Sequence, residues 1–280
     1  MIRWLNALQE YPFEHHPCWS NERRQLWERI HLPVARRCNL KCGFCDHKFG
    51  ANCHQSKPGL STKLFSVDEA LTSLAKEIQH RENLQIAAIS GPGEPLANPE
   101  TLELFSRARK KYEQLEFCLS TNGTLLEEKL FSLVEFGVRT ITVSMSAYNP
   151  STAERIYEWA RFDGNRVTGL SMAEEIVNRQ IRGIFEAVSA GIHVKVNTIL
   201  IPSINKDEMQ GLSKVLADIG VDMQNIIPLV PLDNMSDLRP PSESELQAAR
   251  EAGSKYLPQF LHCKQCRSDV VGIPGNDTIL

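Results

Sequence analysis

Long hydrophobic runs are missing from this sequence of 280 residues. No apolar stretch approaches the ~18 residues that a membrane-spanning helix requires, so we expect no membrane association. Residues 1–10 lack both a long apolar core and a small-residue cleavage site. This argues against a secretory signal and favours a cytoplasmic location.

A basic excess is missing as well. The chain has 31 Lys and Arg against 34 Asp and Glu, which gives a net charge of −3 and argues against a general nucleic-acid binder. Hydrophobic residues make up 42% and charged residues 23%, so disorder and collagen-like structure are excluded. A chain of this length buries roughly 75% of its extended surface and needs no disulfides to fold.

Cysteine is nevertheless abundant, with eight residues. In a reducing compartment cysteines serve more often as metal ligands or catalytic groups than as disulfides. Their spacing agrees, because one group has the pattern C-x3-C-x2-C and another C-x2-C. The even number leaves an oxidised, secreted protein as the alternative. The first group is Cys38, Cys42 and Cys45, the second is Cys263 and Cys266, and Cys18, Cys53 and Cys118 stand alone.

Short β-rich runs alternate with amphipathic helices along the chain. The pattern predicts an α/β protein whose parallel sheet, with helical crossovers, closes wholly or partly into a barrel. We predict strands at 30–36, 85–90, 115–120, 140–146, 193–200 and 225–230. We predict helices at 67–80, 99–112, 125–136, 173–190 and 208–219. Ser66 with Glu69 forms a capping box, and Asn98 before Pro99 marks a second helix start.

The C-x3-C-x2-C segment follows directly after the first predicted strand. Three thiolates on one loop can hold three irons of a 4Fe-4S cluster and leave the fourth iron open. A structural zinc site would need a fourth ligand, which His47 could supply. Phe44, directly before Cys45, completes a C-x3-C-x-aromatic-C pattern that resembles the radical S-adenosylmethionine (SAM) superfamily. The resemblance implies that Cys38, Cys42 and Cys45 hold the catalytic, SAM-binding cluster.

The loops after later strands also resemble this superfamily, over roughly residues 28–230. They imply a partial (β/α)6, TIM-like radical SAM barrel that binds SAM at the carboxyl ends of its strands. Taken one at a time, each of these motifs would be read as an ordinary turn or strand end. The SAM-binding residues that the resemblance implies are Gly91, Gly93 and Glu94, then Ser120, Thr121 and Asn122, and finally Asn197.

Further motifs resemble the NifB family of radical SAM proteins, which takes part in nitrogenase cofactor biosynthesis. They include His16-Pro17-Cys18, the run that begins at His31, and the tail 262–269. The likeness covers about residues 15–275. We therefore expect an N-terminal cluster-binding extension at 1–29, the barrel at 30–231, and a C-terminal extension at 232–280. We expect the chain to lack the accessory domain that some members carry, and both flanks to fold back over the barrel mouth.

The family resemblance implies a chemistry in which two 4Fe-4S clusters are fused into an eight-iron core with a central carbide. One SAM donates a methyl group to a sulfide, a second yields the 5′-deoxyadenosyl radical, and sulfite supplies a further sulfur. One precursor cluster would be held by His31, Cys53 and Cys118. The other would be held by Cys18, Cys263 and Cys266.

Other readings of these residues remain open. Cys118 in an apolar strand is compatible with a small hydrophobe, and His31 with a core histidine. Cys263 and Cys266 could bind zinc with Cys18 and either His16 or His262. At Cys53 the loop is longer than the family pattern, and Gln55 stands where the family has a glutamate that can ionise.

The resemblance also implies three kinds of protein partner. These are an iron–sulfur cluster donor scaffold, a cofactor carrier or nitrogenase assembly scaffold, and an electron donor such as ferredoxin or flavodoxin. A second enzyme hypothesis is a radical SAM maturase or methylating enzyme with auxiliary clusters that acts on a peptide or small molecule. The non-enzyme hypothesis is an iron–sulfur carrier or a zinc-stabilised scaffold.

Overall fold

A computed structural model describes residues 15–20, 25–46 and 60–280. The strands are β1 (Glu28–His31), β2 (Leu40–Cys42), β3 (Leu84–Ile89), β4 (Glu116–Thr121), β5 (Val138–Ser144), β6 (Tyr157–Phe162), β7 (Asn165–Val167), β8 (His193–Leu200), β9 (Met223–Pro228), β10 (Val270–Ile273) and β11 (Asn276–Ile279). The helices are α1 (Val67–His80), α2 (Pro99–Lys111), α3 (Leu126–Glu135), α4 (Pro150–Ile156), α5 (Gly169–Ser189), α6 (Met209–Asp218) and α7 (Glu243–Ser254).

The main sheet of the described residues has the strand order β11-β10-β1-β3-β4-β5-β8-β9. Neighbouring strands in the run β1-β3-β4-β5-β8-β9 are all parallel. Strand β10 is antiparallel to both β1 and β11. The six strands that the sequence predicted are thus the six parallel ones, and the α/β partial-barrel prediction is confirmed. A small antiparallel sheet, β2-β6-β7, lies beside them and was not predicted.

Helix boundaries follow the local signals closely. The capping box at Ser66 and Glu69 is present, and α1 spans the predicted residues. Pro99 is the first residue of α2, but the Asn98 side chain makes no capping hydrogen bond there. Helix α5 begins four residues earlier than predicted, at Gly169. The helices bury their apolar faces against the sheet, as Ile176 and Ile184 of α5 do.

The first strand is shorter than predicted. Strand β1 ends at His31, and the next residues leave the sheet because Pro33 has no N–H to donate to a neighbouring strand. The chain then runs beside the loop after β3, where Ala35 pairs with Pro92. This detour leads directly into the segment that carries Cys38.

The C-terminal tail connects the two edges of the parallel sheet. Residues 258–260 bond to β9 through Gln224, whose N–H donates to the Pro258 carbonyl at 2.9 Å and whose carbonyl accepts from Phe260 at 2.8 Å. Strand β10 then pairs with β1 at the opposite edge. The tail therefore crosses the open side of the partial barrel, and it carries Cys263 and Cys266 across the gap.

Candidate functional site

A cavity of about 290 Å³ lies at the carboxyl ends of the parallel strands. Its floor is built from alternate residues of neighbouring strands, because side chains two positions apart point to the same face of a sheet. The strand residues that line it include Arg29 and His31, Cys118 and Ser120, Thr142 and Ser144, and Lys195 and Asn197.

This cavity brings together five of the six side chains that the family resemblance assigns to precursor clusters. They come from four separate parts of the chain: the N-terminal segment, β1, β4 and the tail. They are Cys18, His31, Cys118, Cys263 and Cys266. The sixth, Cys53, lies outside the described residues, as do His47 and Gln55. Residues separated by more than two hundred positions in sequence thus face one space.

Two of the histidines that line this cavity, His16 and His31, are neutral. Burial, reinforced by the positive charge of Arg29, lowers the pKa of His31 to about 3. Burial and then Lys195 hold the pKa of His16 well below its usual range. Nδ1 of His31 lies 2.8 Å from the carbonyl oxygen of Arg267. Because a carbonyl can only accept, Nδ1 carries the proton and Nε2 has the free lone pair that a metal ligand needs.

The thiols of Cys18, Cys118 and Cys266 are protonated as long as no metal is bound. Burial raises the pKa of Cys18 and Cys118, and it raises the pKa of Cys266 to about 11. Lys195 and Arg29 act in the opposite direction, because their positive charges stabilise the thiolates. A buried thiol beside a cation gives up its proton most readily when a metal replaces that proton, so this donor set fits iron–sulfur ligation.

The three clustered cysteines lie on a loop around β2. Burial raises the pKa of Cys38 to about 12, with a further contribution from Glu94 and Cys45. Burial also raises the pKa of Cys42, and Cys45 and Cys38 are the next largest causes. The three thiols are therefore close enough to repel one another as thiolates. Such a set is compatible with a cationic iron centre that removes the repulsion.

Glu94 lies beside this loop and is 3% exposed. Its carboxylate accepts hydrogen bonds from the Thr121 hydroxyl at 2.6 Å, the Asn122 N–H at 2.6 Å, and the Leu96 N–H at 3.0 Å. Burial nevertheless raises its pKa to about 7. A positively charged group would lower that pKa and stabilise the carboxylate, so Glu94 is suited to hold an ammonium such as that of SAM.

The remaining residues that the resemblance assigns to SAM take two kinds of position. Ser120 and Asn197 line the cavity, and the Asn197 side-chain oxygen accepts a hydrogen bond from Asn225 at 2.8 Å. Asn122 donates to Asn39 at 2.8 Å and also interacts with the Cys38 thiol. Asn122 therefore connects the loop after β4 to the cysteine loop.

Gly93 is required by the protein's own packing. A Cβ atom at this position would lie 2.4 Å from the carbonyl oxygen of Arg37. The Gly93 N–H donates to Ala35 at 2.7 Å, and the Glu94 N–H donates to Arg37 at 2.9 Å. Only glycine permits this approach. Gly91 is needed for a different reason, since its φ of 129° lies in a region that other residues rarely adopt.

The profile of the Radical SAM superfamily matches residues 32–216. The chain is 39% identical over 265 residues to a protein of Methanocaldococcus jannaschii named FeMo cofactor biosynthesis protein NifB. The aligned region covers 95% of this chain and 88% of that protein. The chain belongs to the NifB family of radical SAM enzymes. The Klebsiella pneumoniae protein of the same name is 35% identical over 269 residues, covering 94% of this chain and 57% of that protein.

A solved structure supports the NifB-family fold independently of sequence. Methylornithine synthase (PylB) superposes with a TM-score of 0.55 and covers 92% of this chain and 75% of that protein, at 12% sequence identity. At this identity the likeness shows the fold alone. As a radical SAM enzyme, the chain uses a 4Fe-4S cluster and SAM. Within the described residues, no helix is long and apolar enough to cross a membrane.

The arrangement of donors in this NifB-family chain differs from that of a mononuclear zinc site. Among residues 15–20, 25–46 and 60–280, no three His, Cys, Asp or Glu side chains surround one point closely enough to hold a single metal ion. In an iron–sulfur cluster each thiolate binds a different iron, so the ligands of one cluster need not surround a single point.

Two cationic residues of the cavity were missed in the sequence. Arg29 is fully buried and donates to the Gly272 carbonyl and to Asp277, both at 2.6 Å. Lys195 donates to the Cys18 carbonyl at 2.6 Å. A signal for both was present, because each precedes a candidate residue by two positions on the same strand: Arg29 before His31 and Lys195 before Asn197.

Proposed function

We propose that this enzyme fuses two 4Fe-4S clusters into an eight-iron, carbide-containing precursor of the nitrogenase cofactor. The observation that carries the proposal is the single cavity that gathers Cys18, His31, Cys118, Cys263 and Cys266. A radical SAM enzyme without auxiliary clusters would have no use for so many metal-binding side chains facing one space. The printed names of the relatives, FeMo cofactor biosynthesis protein, agree with this proposal.

We assign the resident cluster to Cys38, Cys42 and Cys45, with SAM beside it. When bound, this cluster supplies the electron that cleaves SAM. Glu94 would hold the amino group of SAM as a carboxylate, and Gly91 and Gly93 would shape the loop that carries Glu94. Ser120, Thr121, Asn122 and Asn197 complete the SAM-binding set. Thr121 and Asn122 act in part through Glu94, to which they donate hydrogen bonds.

The two precursor clusters are substrates, and we assign each to its own side of the cavity. Cys18 interacts electrostatically with Cys263 and Cys266, which supports the first set. His31 and Cys118 lie on the strands, and with Cys53 they form the second set. Cys18 also interacts with Cys118, so the two substrates would adjoin, as fusion demands. Three protein ligands per cluster leave few bonds to break when the product departs.

The proposed reaction consumes SAM in two ways. Methyl transfer to a sulfide releases S-adenosylhomocysteine, and hydrogen abstraction from that methyl group by the 5′-deoxyadenosyl radical releases 5′-deoxyadenosine. The enzyme then needs a cluster donor scaffold, a ferredoxin or flavodoxin as electron donor, and a carrier or nitrogenase assembly scaffold as acceptor. We propose these partners by class, together with sulfite as the source of the additional sulfur.

Iron counting and product analysis test the proposal together. The anaerobically reconstituted chain should bind about twelve irons, at four per cluster. With SAM and dithionite it should release both S-adenosylhomocysteine and 5′-deoxyadenosine, and the cluster spectrum should change. About four irons, with 5′-deoxyadenosine alone and no change in the cluster spectrum, would favour a simpler radical SAM enzyme. Zinc without iron would favour the scaffold.

Two variants and one control sharpen the test. Cys42→Ala should abolish both products, and SAM cleavage that survives it would contradict the cluster assignment. Cys266→Ala should lower the iron content by about a third while 5′-deoxyadenosine can still form. Thr142→Val is the matched control, because Thr142 lines the same cavity and provides no thiolate or imidazole. It should leave the iron content unchanged.

A further inference from the structure

His16 is a buried polar residue of the cavity to which the proposed reaction assigns no part. It is 2% exposed and lines the cavity two positions before Cys18. The backbone N–H of Cys18 donates to Nδ1 of His16 at 3.2 Å. Since Nδ1 accepts this bond, the proton of the neutral ring resides on Nε2.

The Nε2–H of His16 has no hydrogen-bond partner among the described residues, although the atom is buried. Leaving such a donor unsatisfied destabilises the fold, because the group loses its hydrogen bond to water on burial. Because His16 lines the cavity, a buried donor that no described residue accepts indicates a partner among the molecules that occupy the cavity. The protonated Nε2 also differs from a metal ligand, which needs a lone pair. His31 has the opposite tautomer, with Nδ1–H bonded to Arg267.

The His16 ring is held in place by its neighbours. It packs at a tilt against Trp19, with ring centroids 6.3 Å apart. Lys195 fixes this segment to β8, because its ammonium donates to the Cys18 carbonyl and lies 5.5 Å from the centroid of Trp19. The donor therefore has a defined position relative to the Cys18 thiol.

We propose that the Nε2–H of His16 donates a hydrogen bond to a sulfur atom of the precursor cluster held by Cys18, Cys263 and Cys266. This inference rests on the proposed function. A hydrogen bond to a sulfur withdraws electron density and stabilises the reduced cluster, so it raises the reduction potential. His16 is then a positioning residue, which orients the cluster and tunes its potential without binding iron.

The test compares His16→Leu with His16→Gln in the reconstituted full chain. Leucine keeps the apolar volume and removes the donor, whereas the side-chain amide of glutamine places an N–H near the original Nε2. The cluster in question is identified by the signal that Cys266→Ala removes and that added SAM does not shift. Its potential is measured by a redox titration followed by electron paramagnetic resonance. Its exchangeable protons are measured by electron–nuclear double resonance in H2O and D2O.

We expect His16→Leu to shift this potential to a more negative value and to remove an exchangeable proton coupled to the cluster. His16→Gln should restore both. His15→Leu is the matched control, because His15 stacks edge-on against Trp27 at 4.7 Å and is not among the described residues that line the cavity. It should change neither measurement.

Three outcomes would overturn the inference. An unchanged potential and proton coupling in His16→Leu would mean that no sulfur accepts this hydrogen bond. A strong nitrogen coupling that His16→Leu removes would make His16 an iron ligand. If His16→Leu loses the cluster, the His16→Gln variant separates the two explanations. Iron retained in His16→Gln together with the proton coupling supports the hydrogen-bond donor, whereas loss of the cluster in both variants contradicts the inference. A parent chain with only about four irons would instead overturn the proposed function itself.

Discussion

Gly93→Ala is the substitution whose effect the packing defines most directly. The added Cβ would lie 2.4 Å from the Arg37 carbonyl oxygen, 2.8 Å from the Arg37 carbonyl carbon, and 2.9 Å from that of Arg36. All three neighbours are backbone atoms, which cannot rotate away as a side chain can. The loop after β3 must therefore separate from the segment that leads to Cys38.

The expected loss of stability follows from the contacts that are broken when the loop after β3 separates from the segment that leads to Cys38. Forcing an extra methyl group into packed surroundings costs about 1–3 kcal/mol. The Gly93–Ala35 hydrogen bond at 2.7 Å and the Glu94–Arg37 hydrogen bond at 2.9 Å would be weakened as well, at about 0.5–1.5 kcal/mol each. We expect Gly93→Ala to lower the free energy of unfolding by about 2–6 kcal/mol. We also expect weaker SAM binding, because Glu94 and Cys38 both shift.

Gly43→Ala is the matched control in the cysteine loop. Its added Cβ would also make a short contact, at 2.9 Å, but the neighbour is the terminal Cε of Met235. A methionine side chain can turn away, so this variant should lose no more than about 1 kcal/mol. Urea denaturation under anaerobic conditions measures both variants, and equilibrium dialysis with SAM measures binding. Equal losses in the two variants, or a loss below about 0.5 kcal/mol for Gly93→Ala, would refute the packing argument.

Three further predictions concern Glu94, Lys195 and Asn98. Burial raises the pKa of Glu94 to about 7, so in the chain without SAM its contribution to stability is complete below about pH 4.5 and is lost as the pH rises through about 7. That loss amounts to about 3 kcal/mol, and Glu94→Gln should remove this part of the pH dependence of urea denaturation. Lys195→Met should lower the iron content by about a third, because the ammonium–Cys18 hydrogen bond fixes the segment that carries one ligand. Asn98→Ala should lower the free energy of unfolding by about 2–4 kcal/mol in the same denaturation assay, because its side chain makes four hydrogen bonds to the backbone of Arg36, Arg37 and Glu94.

Each of these predictions has an opposing outcome. A pH dependence that is identical in the parent and in Glu94→Gln would mean that another group causes it. Full iron content in Lys195→Met would show that Cys18 is held without the ammonium. Asn98→Asp retains the oxygen that accepts from Arg36 and Arg37, but it places an acceptor oxygen against the carbonyls of Arg37 and Glu94, to which the amide donated. It should therefore be destabilised at least as much as Asn98→Ala, and a smaller loss would contradict the hydrogen-bond argument.

Much of the barrel could be predicted because its signals are local. The capping box at Ser66 fixes the start of α1, and six β-rich runs correspond to the six parallel strands. The small sheet formed by β2, β6 and β7 was missed. A strand of three residues, such as Leu40–Cys42, has too little periodicity to recognise and is stabilised by its pairing with Tyr157–Phe162.

The sequence predicted which side chains could be ligands in the cavity, but it did not predict how they are arranged. Its candidate ligands were named from motifs, but Arg29, two positions before His31, was not named with them, since an arginine in a short strand usually points to solvent. Its burial depends on Asp277 and Gly272, which are more than two hundred residues away in sequence. These partners lie next to Arg29 only because β10 pairs with β1.

By itself, the sequence determined the α/β class, the cysteine loop after the first strand, and the family to which the chain belongs, because each depends on residues close together in the chain. Only the tertiary structure decided how the tail crosses from β9 to β1, and with it that Cys18, Cys118 and Cys263 face one cavity. It also decided the proton positions on His16 and His31, since each depends on a hydrogen bond that the other ring nitrogen makes. The crossing of the tail and the proton position on His31 depend on contacts across the sheet between residues far apart in the chain, and the spacing of residues in the sequence does not specify such contacts.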